Sequence, residues 1–523
     1  MVRTEVLVIG GGITGLGIAR DLAMRGIKTI LVERKDFAAG ASGGNHGMLH
    51  SGARYAVRDP GAAAECAAES KMLRHIADFC VDDCGGLFVS LEGADATYEE
   101  QLIRSTRTLG IESAVLNKKE CLGLEPGLSS AVLHGLRVRD AGVDPFALAM
   151  ANVDSARTAG ATLLNYRCVD SIARSRKEVG EIIIRDTMTR EAEKVKAEIV
   201  VNAAGAWAAG VASLAKVNVP LTLDKGSMIV LDGRFSHGLV NHLRPPSDGD
   251  IVVPSHSSSI IGTTSVPAHA PDITSTSEDE VAKLIEEAAR MIPDIGAARA
   301  VRAYARVRPL VPSEDGGRRT SRDFKLIDHE SEGVNNLVTI IGGKLTTYRL
   351  MAERIADLVA RKLGNRTLCR TAVEPLRAHV FMKAPPGVTA FHAQRMVRKY
   401  GPLAEQVMET CVHSPRGTEI ACSCEQVLRG ELEHFSEDPD VRRLGDLGRR
   451  TRAGLGFCQS GGCAFALASA LMDKVEEEPI AMIRGFLEER GKGVQPVLAH
   501  GQLRQTVFRS YLLQGTYGLE GGK

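Results

Sequence analysis

The chain has 523 residues, 44% of them hydrophobic and 25% charged, with a formal net charge of +1; that length exceeds what one hydrophobic core can organise, so two to four domains are expected. The near-neutral balance excludes a nucleic-acid binder of the usual strongly basic kind, and apolar runs such as 197–215 are broken by Asn202, Gly205, Gly210 and Ser213, so none reads as a membrane span. Eleven cysteines, an odd number at irregular spacing, argue against a secreted disulfide framework and for a reducing cytoplasm.

At the N-terminus, MVRTE leads into an apolar run without the basic region and cleavable segment of a targeting peptide. TEVLVIG (4–10) is a short β-rich run. After a glycine turn comes ITGLGIARDLAMRG (13–26), where Ile18, Leu22 and Ala19, Ala23 recur at helical spacing and Gly26 fits the position just past a helix end. KTILVE (28–33) reads as a second buried strand, which completes a β-turn-α-β unit. EIIIRD (181–186) and AEIVV (197–201) read as strands. NLVTIIGG (336–343) is another, running into a long amphipathic helix over LTTYRLMAERIADLVARKL (345–363). KAPPG (383–387) is a proline–glycine breaker. Beyond it lie a helical stretch to about 411, a cysteine-bearing segment to about 475, and a tail with a helix around 480–490. The expected division is therefore 1–375, a linker and helical segment 376–415, a cysteine domain 416–475 and a tail 476–523.

The pattern Gly10, Gly12, Gly15 follows a strand and opens a helix, and Glu33 answers it at the end of the next strand. Glycine at these positions lets backbone N–H groups approach a pyrophosphate at the positive end of a helix, while the carboxylate accepts from ribose hydroxyls. The pattern alone does not separate FAD from NAD, and a plain tight turn also satisfies it. ASGGNHGMLHSGARY (41–55) gathers glycines, serines and two histidines after the second strand; a flexible surface loop is the lesser alternative there. VVNAAGAW (200–207) ends a strand in small residues, as expected where backbone passes close beneath a ligand. IGGK (341–344) puts a second helix N-terminus beside a possible ligand; for a flavin, that end would stabilise the anionic reduced ring. Arg306 and Arg308 in AYARVRPLVPS, Arg322 in TSRDF, Lys344 and Arg54 supply cations for a phosphomonoester, although ordinary surface ion pairs would use the same residue types.

The three small-residue segments together resemble the flavin-dependent glycerol-3-phosphate dehydrogenases. NHGMLHSGARYAVRD (45–59) and GGKLTTYRLMAE (342–353) look like the large subunit of the anaerobic branch of that family, and the similarity runs through GVQPV (493–497). The resemblance implies an α/β fold: a glutathione-reductase-type FAD-binding domain with a β-rich substrate cap. It implies FAD contacts at Gly10, Gly12, Gly15, Glu33, Ser42, Asn45, Gly47, Ala204, Gly205, Gly342, Gly343, Leu345 and Thr346. Arg308 of VRPL and Arg322 of SRDF match phosphate-binding arginines of the family, and Arg54, Tyr55 and Lys344 match residues near the flavin. His46, His50 and Lys344 remain open as the base. In aerobic relatives a histidine follows the Gly-Ser of KGSM; here Met228 stands there. The implied reaction is oxidation of sn-glycerol 3-phosphate to dihydroxyacetone phosphate. Its electrons would pass through a second flavoprotein chain and an iron–sulfur membrane anchor to quinone, with this chain cytoplasmic and peripheral on the inner face of the membrane.

Cys422 and Cys424 in ACSCEQV and Cys458 and Cys463 in GFCQSGGC form C-x-C-x33-C-x4-C. Four thiolates from two short loops can hold a 2Fe–2S cluster or a structural zinc. The pattern resembles the small helical bacterioferritin-associated-ferredoxin-like (BFD-like) 2Fe–2S domain, which makes zinc the lesser reading. Two rival functions fit the same residues: a flavin-dependent amino-acid or amine dehydrogenase, and a non-enzymatic redox or assembly protein.

Overall fold

The structure, a computed structural model, describes residues 1–312, 323–378, 380–475, 477–499, 501–516, 518 and 519. Strand β1 (Val2–Ile9) enters the glycine turn, helix α1 spans Ile13–Met24 and β2 spans Thr29–Val32. Successive side chains of a strand face opposite sides. Val6 and Val8 accordingly join α1 in one core, while Leu7 and Ile9 enter another. Burial on both faces is what makes the sequence of β1 a continuous apolar run. β2 lies parallel on one side of β1, and β3 (Ala192–Asn202) lies parallel on the other, pairing Val6 with Ile199 and Val8 with Val201. These strands centre an eight-stranded sheet.

Segments before and after β3 build a second sheet, of nine strands. Its longest ladder joins β4 (Thr222–Leu231) to β5 (Ala300–Leu310), antiparallel from Thr222↔Leu310 to Leu231↔Ala300. The helix Glu278–Met291 covers it, burying Val281, Leu284, Ala288 and Met291. The chain then returns to the first sheet as β6 (Leu337–Gly342), parallel to β3. Helix α2 (Tyr348–Lys362) starts three residues later than its amphipathic pattern suggests, because Lys344 to Thr347 form a turn closed by Thr347 N–H donating to the Lys344 carbonyl. α2 packs on α1 where Gly17 leaves room for Tyr348 and Ala352.

From residue 390 the chain is mainly helical, with one short two-stranded sheet. Cys422 and Cys463 sit in a core with Leu432, Leu447 and Leu467, to which helix α3 (Pro479–Val494) adds Met482 and Ile483. This unit is fastened to the first sheet's domain by buried charge. Asp36 accepts from Arg449 (2.5 Å) and Arg450 (3.0 Å), Tyr166 donates to Asp446, and Arg452 bridges Asp144 (3.1 Å) and Glu425 (2.7 Å). Burial opposes ionisation of Asp36, but Arg450 and Arg449 outweigh it and hold the carboxyl well below the usual range. No helix among the described residues is long and apolar enough to cross a membrane.

Candidate flavin and substrate site

The turns that follow β1, β3 and β6 converge on a cavity of about 720 Å³, whose wall includes Gly10, Gly12, Glu33, Ala204, Gly205, Gly342 and Gly343. Close packing fixes the floor. A Cβ on Gly10, whose φ is +113°, would stand 2.6 Å from the Ala203 carbonyl oxygen, and one on Gly15 would stand 1.9 Å from that of Gly10. Gly15 thus lies behind the wall, letting α1 approach, and Gly12 caps the N-terminus of α1 towards the cavity. The Ser42 hydroxyl accepts from Ile13 N–H at 2.9 Å and ties the 41–55 segment to that helix end. Glu33 is on the wall, with one oxygen accepting from Gly11 N–H (2.7 Å) and the other from Lys35 N–H (2.9 Å); burial raises its pKa. A side-chain-free helix entrance beside an acidic strand end, in a cavity of this size, fits a flavin dinucleotide.

The 41–55 segment is a wall rather than a surface loop. Asn45 staples it, donating to the Ser42 carbonyl (2.7 Å) and accepting from Gly47 N–H (2.7 Å). Gly47 itself lies off this wall, against the Val143 carbonyl, and Leu345 lies on it. Thr346 is fully buried and accepts from His50 N–H at 3.1 Å. Sequence separation hides this contact between two of the matched segments.

Elsewhere on the wall the cations and histidines meet. His50 Nε2 is 3.4 Å from the Tyr55 hydroxyl, and Lys344 Nζ sits 5.1 Å from the centre of the Tyr55 ring. Asp250 holds Arg54 at 2.9 Å, and Asp224 holds Arg308 at 2.9 Å. His46 Nδ1 is buried without a hydrogen-bond partner among the described residues; burial, then Arg54 and Arg308, push its pKa down to about 4. Met228 lines the cavity, as does Arg306. Arg322 lies outside the described residues. Asp224 and Asp250 escaped the sequence reading, since neither belongs to a motif and Asp250 is 196 residues from the arginine it orients. Arg34 stacked 4.1 Å from the Trp207 ring also escaped it; the closing residue of VVNAAGAW was its only trace.

The four cysteines of the second motif gather as well. Cys422 and Cys424 sulfurs lie 3.7 Å apart, Cys424 and Cys458 3.6 Å, and Cys463 bonds Cys422. Thiolates bound tetrahedrally to one ion at about 2.3 Å stand about 3.8 Å apart, so the spacing suits metal ligation. Their mutual hydrogen bonds push Cys422 and Cys458 down and Cys424 and Cys463 up, so the quartet divides into two thiolate-favouring and two thiol-favouring members. This donor set accepts iron–sulfur or zinc.

A β-α-β dinucleotide cradle facing a second, β-rich sheet is the architecture of a dinucleotide-dependent oxidoreductase. A family model described as FAD dependent oxidoreductase matches residues 5–358. The A-subunit of the anaerobic glycerol-3-phosphate dehydrogenase of Escherichia coli K12 is 39% identical, over 99% of this chain and 97% of its own length. The corresponding A1-subunit from Haloferax volcanii is 36% identical over 98% and 90%. Among solved structures, the glycerol-3-phosphate dehydrogenase from Bacillus halodurans complexed with FAD aligns with a TM-score of 0.73 at 24% identity, covering 95% of this chain and 96% of that one, a likeness of fold. The chain belongs to the FAD-dependent oxidoreductase family and, within it, to the A-subunit group of the anaerobic glycerol-3-phosphate dehydrogenases.

Proposed function

We propose that this chain oxidises sn-glycerol 3-phosphate to dihydroxyacetone phosphate. The observation that carries the reading is that Arg54, His50, Tyr55, Lys344 and Arg308 share one cavity wall with the glycine cradle. Bound FAD supplies the two-electron acceptor for the hydrogen on C2. Arg308 and Arg54, oriented by Asp224 and Asp250, take the phosphate; Arg322 is assigned to it by its motif alone. A guanidinium has five N–H donors, so a carboxylate can aim Arg54 and still leave the fork a phosphate requires. Fixing the phosphate fixes C2, an orientation effect that can lower the barrier by several kcal/mol, on the order of 7–11 at most. Of the candidate bases, His46 is the weaker proton acceptor because its pKa is pushed down to about 4. We assign proton removal to His50, beside Tyr55.

Cys422, Cys424, Cys458 and Cys463 would hold a 2Fe–2S cluster, a one-electron carrier, in a BFD-like domain. The relatives are named as one lettered component of an enzyme, which supports partner chains. We assign these as a second flavoprotein and an iron–sulfur membrane anchor leading to quinone, which would hold this chain on the inner membrane face. The test is anaerobic titration of the purified protein with glycerol 3-phosphate, together with iron and zinc analysis. Bleaching of the flavin and two irons per chain are expected. An unbleached flavin ends the enzymatic reading, and stoichiometric zinc ends the cluster reading. Arg308→Ala should raise KM by the equivalent of about 2–3 kcal/mol, the range for a charge-assisted contact.

A further inference from the structure

A second cavity, of about 690 Å³, adjoins the flavin cavity and nearly equals it in size. The two share Gly44, Asn45, His46 and Arg306 as walls. Its far side is formed by Glu425, Gln459 and Arg490, the first two being sequence neighbours of Cys424 and Cys458. The cavity therefore lies between the flavin site and the cysteine quartet. Nothing in the reaction proposed above uses it.

Its charge is one-sided. Nine Lys or Arg side chains line it against four carboxylates. Two of those carboxylates, Asp144 and Glu425, are both bonded to Arg452, and Asp82 faces Arg234 at 3.5 Å. Arg449 is taken by Asp36 and Asp446, and Arg395 by Glu431. Arg398 is exposed and donates to the Val81 carbonyl at 3.2 Å, which leaves Arg302, Arg306, Lys399 and Arg490 as four partly buried cations, with Glu489 as the one carboxylate left over. Arg302 Nε and Lys399 Nζ are buried and have no hydrogen-bond partner among the described residues. Burial and the neighbouring Arg395 push Lys399 down to about 7.

Partly buried cations clustered without carboxylate partners are costly, and proteins retain them where an anion completes the set. Three of the four are guanidiniums, whose planar forks suit phosphate oxygens. We infer that this cavity binds a phosphate-bearing anionic ligand of about nucleotide size, held by Arg302, Arg306, Lys399 and Arg490 between the two redox sites. The inference rests on the cavity and its charges, and stands or falls independently of the substrate assignment.

The test is equilibrium dialysis of the FAD-loaded full-length protein against FMN, ADP and inorganic pyrophosphate in turn. One equivalent beyond FAD should bind, at micromolar concentration, with at least one probe. Saturation by FMN alone would identify a flavin nucleotide, by FMN and ADP a nucleotide, and by all three equally the phosphate group itself. Arg302→Gln and Lys399→Met should each weaken that binding at least tenfold while leaving FAD content and substrate-driven bleaching unchanged. The bound probe should also shield Lys399 from acylation in the unmodified protein, a readout that requires no variant to fold. The inference is overturned if no probe saturates below millimolar concentration, or if binding is indifferent to both substitutions and Lys399 reacts equally with and without probe.

Discussion

Gly15 has no room for a single methyl group: its Cβ would stand 1.9 Å from the Gly10 carbonyl oxygen, whereas Gly210 has nothing within 4 Å. Gly15→Ala should therefore push α1 off the cradle and yield protein lacking FAD, while Gly210→Ala keeps it. The ratio of flavin to protein absorbance after purification decides between them, and equal ratios would refute the cradle. His46 carries a pH signature of its own. In the flavin-free chain its folded pKa is near 4 against an ordinary 6.5, so the unfolded state binds the extra proton between those values. Stability rises with pH wherever the unfolded state holds more protons, so His46 costs stability as pH falls from about 6.5 towards 4. Denaturant melts should show His46→Gln gaining on the parent chain across that window and running parallel above it. Residues of this kind were visible in the sequence when fixed spacing announced them, as with Gly10 to Gly15, or when a family resemblance pointed to them, as with Arg54 and Tyr55. Asp224 and Asp250 were not, because a lone aspartate acquires its role only when distant strands bring an arginine to it.

The same division holds for elements. α1 follows from helical periodicity, and β1 and β2 from short apolar runs buried on both faces, because each is specified by its own local side chains. β4 and β5 gave no comparable signal: their ladder joins Thr222 to Leu310, so what makes them strands lies some eighty residues away. The α1–α2 contact is legible only after folding. A Cβ at Gly17 would lie 3.1 Å from both Ala352 Cβ and Tyr348 Cδ2, and Tyr348 is fully buried, with its hydroxyl taking a bond from Asn152 at 3.1 Å. Neither neighbour has space to yield. Gly17→Leu should cost roughly 1–3 kcal/mol through overpacking, although glycine is by itself a poor residue for a helix interior. Urea unfolding measures the balance. A stabilised variant would mean that helix propensity outweighs the contact and that the two helices pack less closely than described.

Across the whole molecule, the cysteine-bearing unit is tied to the first sheet's domain by a set of buried charges. Asp36 is wholly buried, comes just after β2, and meets Arg449 and Arg450 from the other unit. Asn165 donates to the same carboxylate and Tyr166 reaches Asp446, so residues flanking the first sheet fix one face of the unit. A buried pair of this kind contributes modestly when intact, but removing one partner leaves the other's charge uncompensated and costs about 3–5 kcal/mol. Asp36→Ala removes the carboxylate that two guanidiniums share, leaving Arg449 with Asp446 and Arg450 with Asp438. Its loss should fall on the seam between the units, because the flavin cavity's cradle does not use Asp36. The expected pattern is a split: flavin bleaching by glycerol 3-phosphate at an unchanged rate in stopped flow, and slower onward transfer to the cluster proposed at Cys422, Cys424, Cys458 and Cys463. A uniform fall in both rates, with loss of FAD, would show instead that Asp36 supports the first domain itself. Unchanged transfer in a stable variant would show that the seam is held elsewhere, leaving the Arg452 bridge to Asp144 and Glu425 as the next contact to break.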